Sequence, residues 1–311
     1  MKTVTGEREL KAIKSSSSFS IIKDVEAKSR YPGANKIKEA FPVLEDAKFT
    51  LLEGQKQAKF SEEFVALEKK LKPRNYKFGV LNLRGKQSKE NEIYANLHSN
   101  SSKHYLEFLE IIGEKVRLKG FDKYKGGLNI TDDTTGEFSI YTQVHIDKSD
   151  GELLKQPVED ISITLQVMFH VATLLPFEEG EDSQQLQRKR HVGNDIVVLV
   201  FIEPNAGPLD PTILTSQFNH VFIAVQPLPN LDNKDTFENY LLQICYKTGV
   251  KKFEPETPPN GIIHKKDLRE FLLAKMINAE RSVLEFSKEF VTKEKRTIRS
   301  TLQGMKKNFD E

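Results

Sequence analysis

The run Arg188-Lys189-Arg190-His191-Val192-Gly193-Asn194-Asp195 leads directly into Ile196-Val197-Val198-Leu199-Val200-Phe201. Three cations, an imidazole, a carboxamide and a carboxylate are thus set beside a wholly apolar stretch. Groups of these types orient water, bind oxyanions or support one another; none is a strong nucleophile. The pattern predicts a polar helix from Gln184 to about Val192, with Ser183 as N-cap and Gly193 in a left-handed C-terminal turn. Leu186 is the only large apolar residue before Val192, so most of this helix is expected to stay exposed. Helical spacing aligns Gln184, Gln187 or Arg188, His191 and Asn194 along one edge. Two readings stay open on these residues alone. A solvated helix with its cations at the carboxyl end, where the helix dipole favours them, needs no function. A ridge of hydrogen-bonding groups fixed by a central strand is also what a site needs for close positioning.

The elements that must position this corner are legible in outline. Apolar strands recur at residues 76–83, 139–145, 166–173, 195–203, 220–226 and 240–246. Tyr105, Phe108, Leu109, Ile112 and Val116 fall at helical spacing, with Ser101 or Ser102 as cap and Gly113 as an internal cost. Phe60, Phe64 and Leu67 mark a short helix that Lys72-Pro73 would end. From Leu268 to Phe290 apolar residues step at threes and fours, a helix of roughly 25 residues that needs a partner surface along its length. Residues 147–160 form a polar, acidic insert. Strands enclosed by helices indicate an α/β or α+β protein. Residues 1–35, with a serine patch at 15–18, read as a flexible lead-in, and the polar stretch 85–92 as a boundary between two parts.

Composition narrows the function. A chain of 311 residues can bury a proper core in one large domain or two modest ones. The net charge is only +2, which argues against a dedicated nucleic-acid binder, and acidic residues interleave with Lys69-Lys70 and Lys251-Lys252. No apolar run approaches the roughly 18 residues of a membrane helix, and no secretory signal is evident. One cysteine, Cys245, cannot form an intrachain disulfide, so a reducing, cytoplasmic address is expected. The chain has no G-x-x-x-x-G-K-[ST] loop, no G-x-S-x-G elbow and no metal-binding histidine spacing. Chemistry on a small substrate of its own is therefore not expected.

The segment Gln184-Gln185-Leu186-Gln187-Arg188-Lys189-Arg190-His191-Val192-Gly193-Asn194-Asp195-Ile196-Val197 closely resembles the signature of Rap GTPase-activating proteins. Val167-Met168-Phe169-His170-Val171 and Leu175-Pro176-Phe177 precede it in the family's order. Ser216-Gln217-Phe218-Asn219-His220-Val221 and the stretch from Phe271 to Glu280 follow it. Upstream, Tyr76-Lys77-Phe78-Gly79-Val80 and residues 121–128 are also similar, so the resemblance covers roughly residues 60 to 300.

The resemblance implies a catalytic α/β part similar to a small-GTPase fold (89–264). It also implies a smaller dimerisation part (36–88, joined by a C-terminal helix, 265–305) and thus a homodimer. The implied activity is stimulation of GTP hydrolysis by a Rap-type small GTPase in its GTP-bound form, with Rheb or Ral as the alternative partner. By motif position Asn194 is the asparagine that the family inserts into the partner's active site, and His191 supports it. Gln187, Arg188, Lys189, Arg190 and Phe218 are expected to touch the GTPase; a core position for Phe218 is an equal alternative. No cofactor of this chain is implied, since Mg and GTP are carried by the partner. Rival readings are an arginine finger from Arg188 or Arg190, and a scaffold that grips a GTPase without stimulating it. The polar insert is longer than the family pattern, and residues 1–60 match it weakly.

Overall fold

The structure is a computed structural model that describes residues 54–71, 74–146, 163–180, 183–230, 237–286, 290 and 300–304. It separates into two compact units, residues 1–70 with 304–311, and residues 71–303. In the first unit the described element is α1 (Gly54–Leu71), whose last residue alone belongs to the second. It begins six residues before the helix expected from Phe60. The expected lead-in at 1–35 and the insert at 147–160 lie outside the described residues.

The second unit is built on eight strands: β1 (Asn75–Leu83), β2 (Glu114–Arg117), β3 (Phe138–Ile146), β4 (Ile163–Val171), β5 (Val197–Ile202), β6 (Val221–Leu228), β7 (Asn239–Tyr246) and β8 (Ile262–His264). They form one sheet in the order β2-β3-β4-β1-β5-β6-β7-β8. The central strands β4, β1, β5 and β6 are parallel, and antiparallel pairs extend both edges. All six residues of β5 are buried, because helices cover both faces of a parallel sheet and its strands need apolar side chains on both. On one face α3 (Lys103–Ile112) and α5 (Lys265–Phe286) pack Phe108, Ile112, Leu272 and Met276 against Phe78, Val80, Leu199 and Phe201. On the other, α2 (Glu90–Tyr94) and α4 (Leu186–Val192) bring Ile93, Tyr94 and Val192 onto Leu81, Met168, Val198 and Val200. The α/β class expected from the sequence is the class observed.

Four local expectations change. First, Gly113 ends α3 rather than interrupting it, and Val116 lies in β2. A Cβ on Gly113 would stand 2.7 Å from the Tyr141 carbonyl oxygen, so glycine is needed where the chain turns onto β3. Second, the stretch 85–92 is no boundary within this unit: it joins β1 to α2, and β1 lies between β4 and β5. Third, α5 finds its partner surface on the sheet itself, where it buries Leu268, Leu272, Met276, Ala279 and Val283. Fourth, the short edge strands β2 and β8 are additions to the six expected from sequence.

The start of α3 ties the carboxyl end of β5 into the fold. Ser102 caps the helix by accepting from the Tyr105 amide at 3.0 Å, and its hydroxyl lies 2.8 and 2.7 Å from the two carboxylate oxygens of buried Glu203. Ser102→Ala is expected to cost more than the ~1 kcal/mol of a lost cap, about 2 kcal/mol or more, because the buried Glu203 carboxylate also loses a donor and keeps only Asn82 Nδ2, at 3.2 Å. Urea unfolding measures the loss, and Ser102→Thr should recover most of it.

Candidate functional site

The turn from α4 into β5 places Asn194 at the amino edge of the parallel strands, exposed to solvent. Four consecutive backbone carbonyls at this corner accept side-chain donors. Asn219 Nδ2 donates to Val192 O at 3.0 Å and to Asp195 O at 2.6 Å. The Ser216 hydroxyl donates to Gly193 O, and Lys77 Nζ donates to Asn194 O at 2.7 Å. Asp195 itself is fully buried, with Lys77 Nζ 2.8 Å from Oδ1 and His170 Nδ1 2.8 Å from Oδ2. His170 Nε2 lies 2.9 Å from Gly126 O. A carboxylate this buried is tolerated only with ionic and hydrogen-bond partners, so the three side chains fix one another. The corner is therefore rigid beneath an exposed tip.

Glycines provide the clearance. A Cβ on Gly79 in β1 would meet Val192 Cγ1 at 2.7 Å, so its absence lets the end of α4 sit on the strand. Gly193 has φ −66°, a right-handed value, which overturns the expected left-handed turn. Its requirement is space, since a Cβ would approach the Lys189 carbonyl oxygen to 2.3 Å. The left-handed residue stands at the other end of α4: Gln185, at φ 50°. The helix begins at Leu186, and its first free amides go to the Glu178 carboxylate, from Leu186 at 3.0 Å and Gln187 at 3.1 Å. Ser183 is thus not the N-cap; its hydroxyl accepts from the Gln185 amide and contacts Glu178 Oε2.

The Asn194 carboxamide donates one N–H to Arg190 O at 2.7 Å. Its second N–H and its carbonyl oxygen take no partner among the described residues, a donor and an acceptor on one small planar group. His191 packs its ring edge-on to His170, with centroids 5.3 Å apart. Burial, and then the His170 ring, push the His191 pKa down to about 4, so it is a neutral imidazole near pH 7. Glu280 on α5 is pushed the other way, up to about 8, by burial and then by the charge of Asp195.

The basic segment divides. Arg188 was expected on the partner-facing ridge and is instead 1% exposed. Its guanidinium donates to Leu175 O at 3.2 Å, Tyr94 O at 2.6 Å and Asn96 O at 2.7 Å, carbonyls at the end of α2 and in loops that strand pairing leaves unserved. Arg188 is therefore neither a partner contact nor an arginine finger in this structure. Lys189 is half-buried, with Nζ 3.1 Å from Glu90 Oε2 and bonded to Asn91 Oδ1, which fastens α4 to α2. Arg190 and Gln187 are exposed, and the Arg190 guanidinium makes no hydrogen bond or ion pair with a described residue. Gln184 is exposed but accepts from Asn91 Nδ2. Phe218 is 45% exposed beside Ser216, so the core alternative for it does not hold.

Lys77, His170, Ser216 and Asn219 were not singled out by the sequence, although each lies in a stretch whose resemblance was visible. Lys77 stands 117 positions from Asn194, a separation from which no periodicity can infer contact. Asp195 is completely buried, and its part at the corner is larger than that of a turn residue. Among the described residues no group of three or more His, Cys, Asp or Glu side chains is placed to hold a metal ion.

The sequence pattern of the Rap/Ran-GAP family matches residues 93–299, which contain α4, the corner and β5. The chain belongs to the Rap/Ran-GAP family. A GTPase-activating protein of Dictyostelium discoideum is 36% identical over 276 residues, covering 87% of this chain and 24% of that protein. The RapA guanosine triphosphatase-activating protein 1 of the same organism is 32% identical, covering 88% and 28%. Human signal-induced proliferation-associated 1-like protein 2 is 37% identical, covering 83% and 14%. The chain thus spans 14–28% of the length of these Rap/Ran-GAP relatives. Among solved structures, the TSC2 GAP domain superposes with a TM-score of 0.52 at 29% identity, covering 68% of this chain and 97% of that one.

Two outcomes test this description of the Rap/Ran-GAP corner. Arg188→Lys should lose about 2 kcal/mol or more of stability, because an ammonium cannot serve three carbonyls spread around a planar fork; chemical unfolding measures it. The second is pH-dependent. His191 titrates lower in the folded state than its ordinary 6.5, so its contribution is lost as pH falls from 6.5 towards 4. Glu280 titrates higher than its ordinary 4.5, so its contribution is lost as pH rises from 4.5 towards 8. Urea midpoints recorded across that range should show His191→Gln flattening the acid side and Glu280→Gln the neutral side.

Proposed function

We propose that this chain stimulates GTP hydrolysis by a Rap-type small GTPase in its GTP-bound form, with Asn194 entering the partner's active site. The observation that carries the reading is the free donor–acceptor pair of an exposed carboxamide on a corner whose backbone carbonyls are all held. Hydrolysis of GTP requires a water aligned in-line with the γ-phosphate, and positioning and electrostatic stabilisation account for most of the acceleration. A carboxamide can accept from that water and donate to a phosphate oxygen at once. The base beneath Asn194 reduces the motion that would blur such alignment. Mg and GTP come with the partner, and this chain supplies no nucleophile. Membership of the Rap/Ran-GAP family and the names of its relatives support the partner class.

In this reading His191 is a neutral support for the corner, packed on His170, and does not act as a base. Gln187, Arg190 and Phe218 are the exposed groups placed to meet the GTPase; Lys189 acts chiefly by holding α4. The proposed setting is the cytoplasm. A homodimer involving residues 36–88 and 265–305 is proposed on the family resemblance.

Arg190 keeps an arginine finger open as the second reading, because its guanidinium is exposed and unengaged by described residues. Phosphate release from GTP-loaded Rap separates the two. Asn194→Ala should lose about 10²-fold or more in turnover while Arg190→Ala stays within about tenfold, given the roughly 10³–10⁵ that arginine fingers supply. The opposite order of effects defeats the asparagine assignment. Running Rheb, Ral and Ras beside Rap identifies the partner, and binding without faster phosphate release would establish a scaffold.

A further inference from the structure

Leu186 is 62% exposed, a large apolar side chain on the same seven-residue helix that leads to Asn194. Its position is tightly specified. The preceding residue, Gln185, is left-handed at φ 50° and ψ 45°, the one non-glycine with positive φ among the described residues. Such a conformation costs on the order of 1–3 kcal/mol and persists only where surroundings over-determine it. Here they do. Gln185 is 2% exposed, its Nε2 donates to Glu178 O at 2.7 Å, and its Oε1 accepts from the Glu178 amide at 3.2 Å. Glu178 in turn accepts the Leu186 amide. The same bonds bring the 177–178 segment alongside, where Phe177, 40% exposed, has its ring 5.2 Å from the Arg188 guanidinium carbon. A buried arginine thus backs one exposed aromatic while a strained glutamine holds out an exposed leucine.

We propose that Leu186 and Phe177 form an apolar anchor that seats the small GTPase whose nucleotide Asn194 serves. The proposal rests on the function assigned to Asn194 above. Eight residues at 1.5 Å per residue put Leu186 roughly 12 Å from Asn194, inside the footprint of a single interface of about 800 Å² per partner. Gln187 and Arg190 lie between them on the exposed side of the helix, and Phe218, 45% exposed, is tied to the corner through Ser216, whose hydroxyl accepts its amide and donates to Gly193 O. One continuous surface therefore runs from the anchor through polar groups to the carboxamide. That is the arrangement of an interface in which a few well-held apolar side chains carry affinity and polar neighbours set orientation. The occupant presents an apolar patch beside its nucleotide site, and the anchor governs capture rather than the chemical step.

Steady-state hydrolysis of GTP-loaded Rap, with the GTPase as the varied substrate, tests the anchor. Leu186→Gln and Phe177→Leu should raise KM about tenfold or more and leave kcat within about twofold. Binding to Rap loaded with a non-hydrolysable GTP analogue should weaken in parallel. Asn194→Ala should show the converse, a lost kcat with binding retained. If the parent chain accelerates hydrolysis and both anchor variants keep its KM, the anchor is wrong while the assigned function stands. If the parent chain does not accelerate hydrolysis, that function fails first. Light scattering supplies a further outcome: variants that dissociate a dimer without changing KM would make this patch a contact between copies and overturn the proposal. Unchanged circular-dichroism melting confirms that the variants are folded; should Leu186→Gln melt early, Leu186→Ala repeats the measurement.

Discussion

The buried carboxylate of Asp195 is the constraint on which the working end of this fold depends. It sits at zero exposure between Lys77 of β1 and His170 of β4, two strands that are neighbours in the sheet. Such a charge leaves the chain little freedom, because loss of either partner leaves a charge or a polar atom buried without compensation. Lys77 also carries Asn194 O, so the group that neutralises the carboxylate also fixes the backbone of the exposed residue next to it. Electrostatics in the core is thereby converted into geometry at the surface.

The location of the corner follows from the sheet. Open α/β sheets generally bind small ligands in the crevice at the carboxyl ends of their strands, where the chain reverses its winding. Asn194 lies at the opposite, amino end, on an exposed turn, and corner residues line neither the cleft at Arg84, Asn96 and Glu203 nor the one at Glu110, Tyr141 and Arg269. A single exposed tip does not by itself enclose a small substrate. It can enter a concavity that belongs to another molecule, and for that task rigidity at the base matters more than enclosure. The sheet gives this rigidity through β1 and β5, whose register places Gly79 opposite Val198 and so clears room for Val192.

What could be read from the sequence was what is local or periodic. The apolar run of β5 and the helical spacing of Tyr105, Phe108, Leu109 and Ile112 each reflect burial on known faces, and both were legible. Residues β2 and β8 contribute, four and three, are too few to carry a period, and they are edge strands with little to bury. Arg188 misled for a different reason. Counting it as polar placed it outside, but carbonyls at Tyr94, Asn96 and Leu175 need a donor, and only the fold shows that they converge. Gly193 was correctly marked as a requirement and wrongly explained, since clearance from Lys189 O and not handedness excludes a side chain. The corner residues were visible as a motif; the lysine, histidine, serine and asparagine that hold them were scattered from position 77 to 219.

The two ends of α4 are stabilised by different means, and the difference fits the tasks proposed for them. At the carboxyl end the carbonyls are satisfied by Asn219, Ser216 and Lys77, residues from β1 and from the loop that leads into β6, so this end moves only with the sheet. At the amino end the amides are satisfied by Glu178, a residue of the short segment that precedes the helix, with Gln185 strained to make the bend. The first arrangement spans more than a hundred residues of sequence and is as stable as the fold; the second is local and rests on surface hydrogen bonds. Precision of a fraction of an ångström is needed where a carboxamide must align water, whereas an apolar side chain that fills a pocket tolerates more play. A helix of seven residues is short enough for both ends to act on one partner, and its buried Arg188 keeps them in fixed relation by pinning the middle of the helix to the body of the protein.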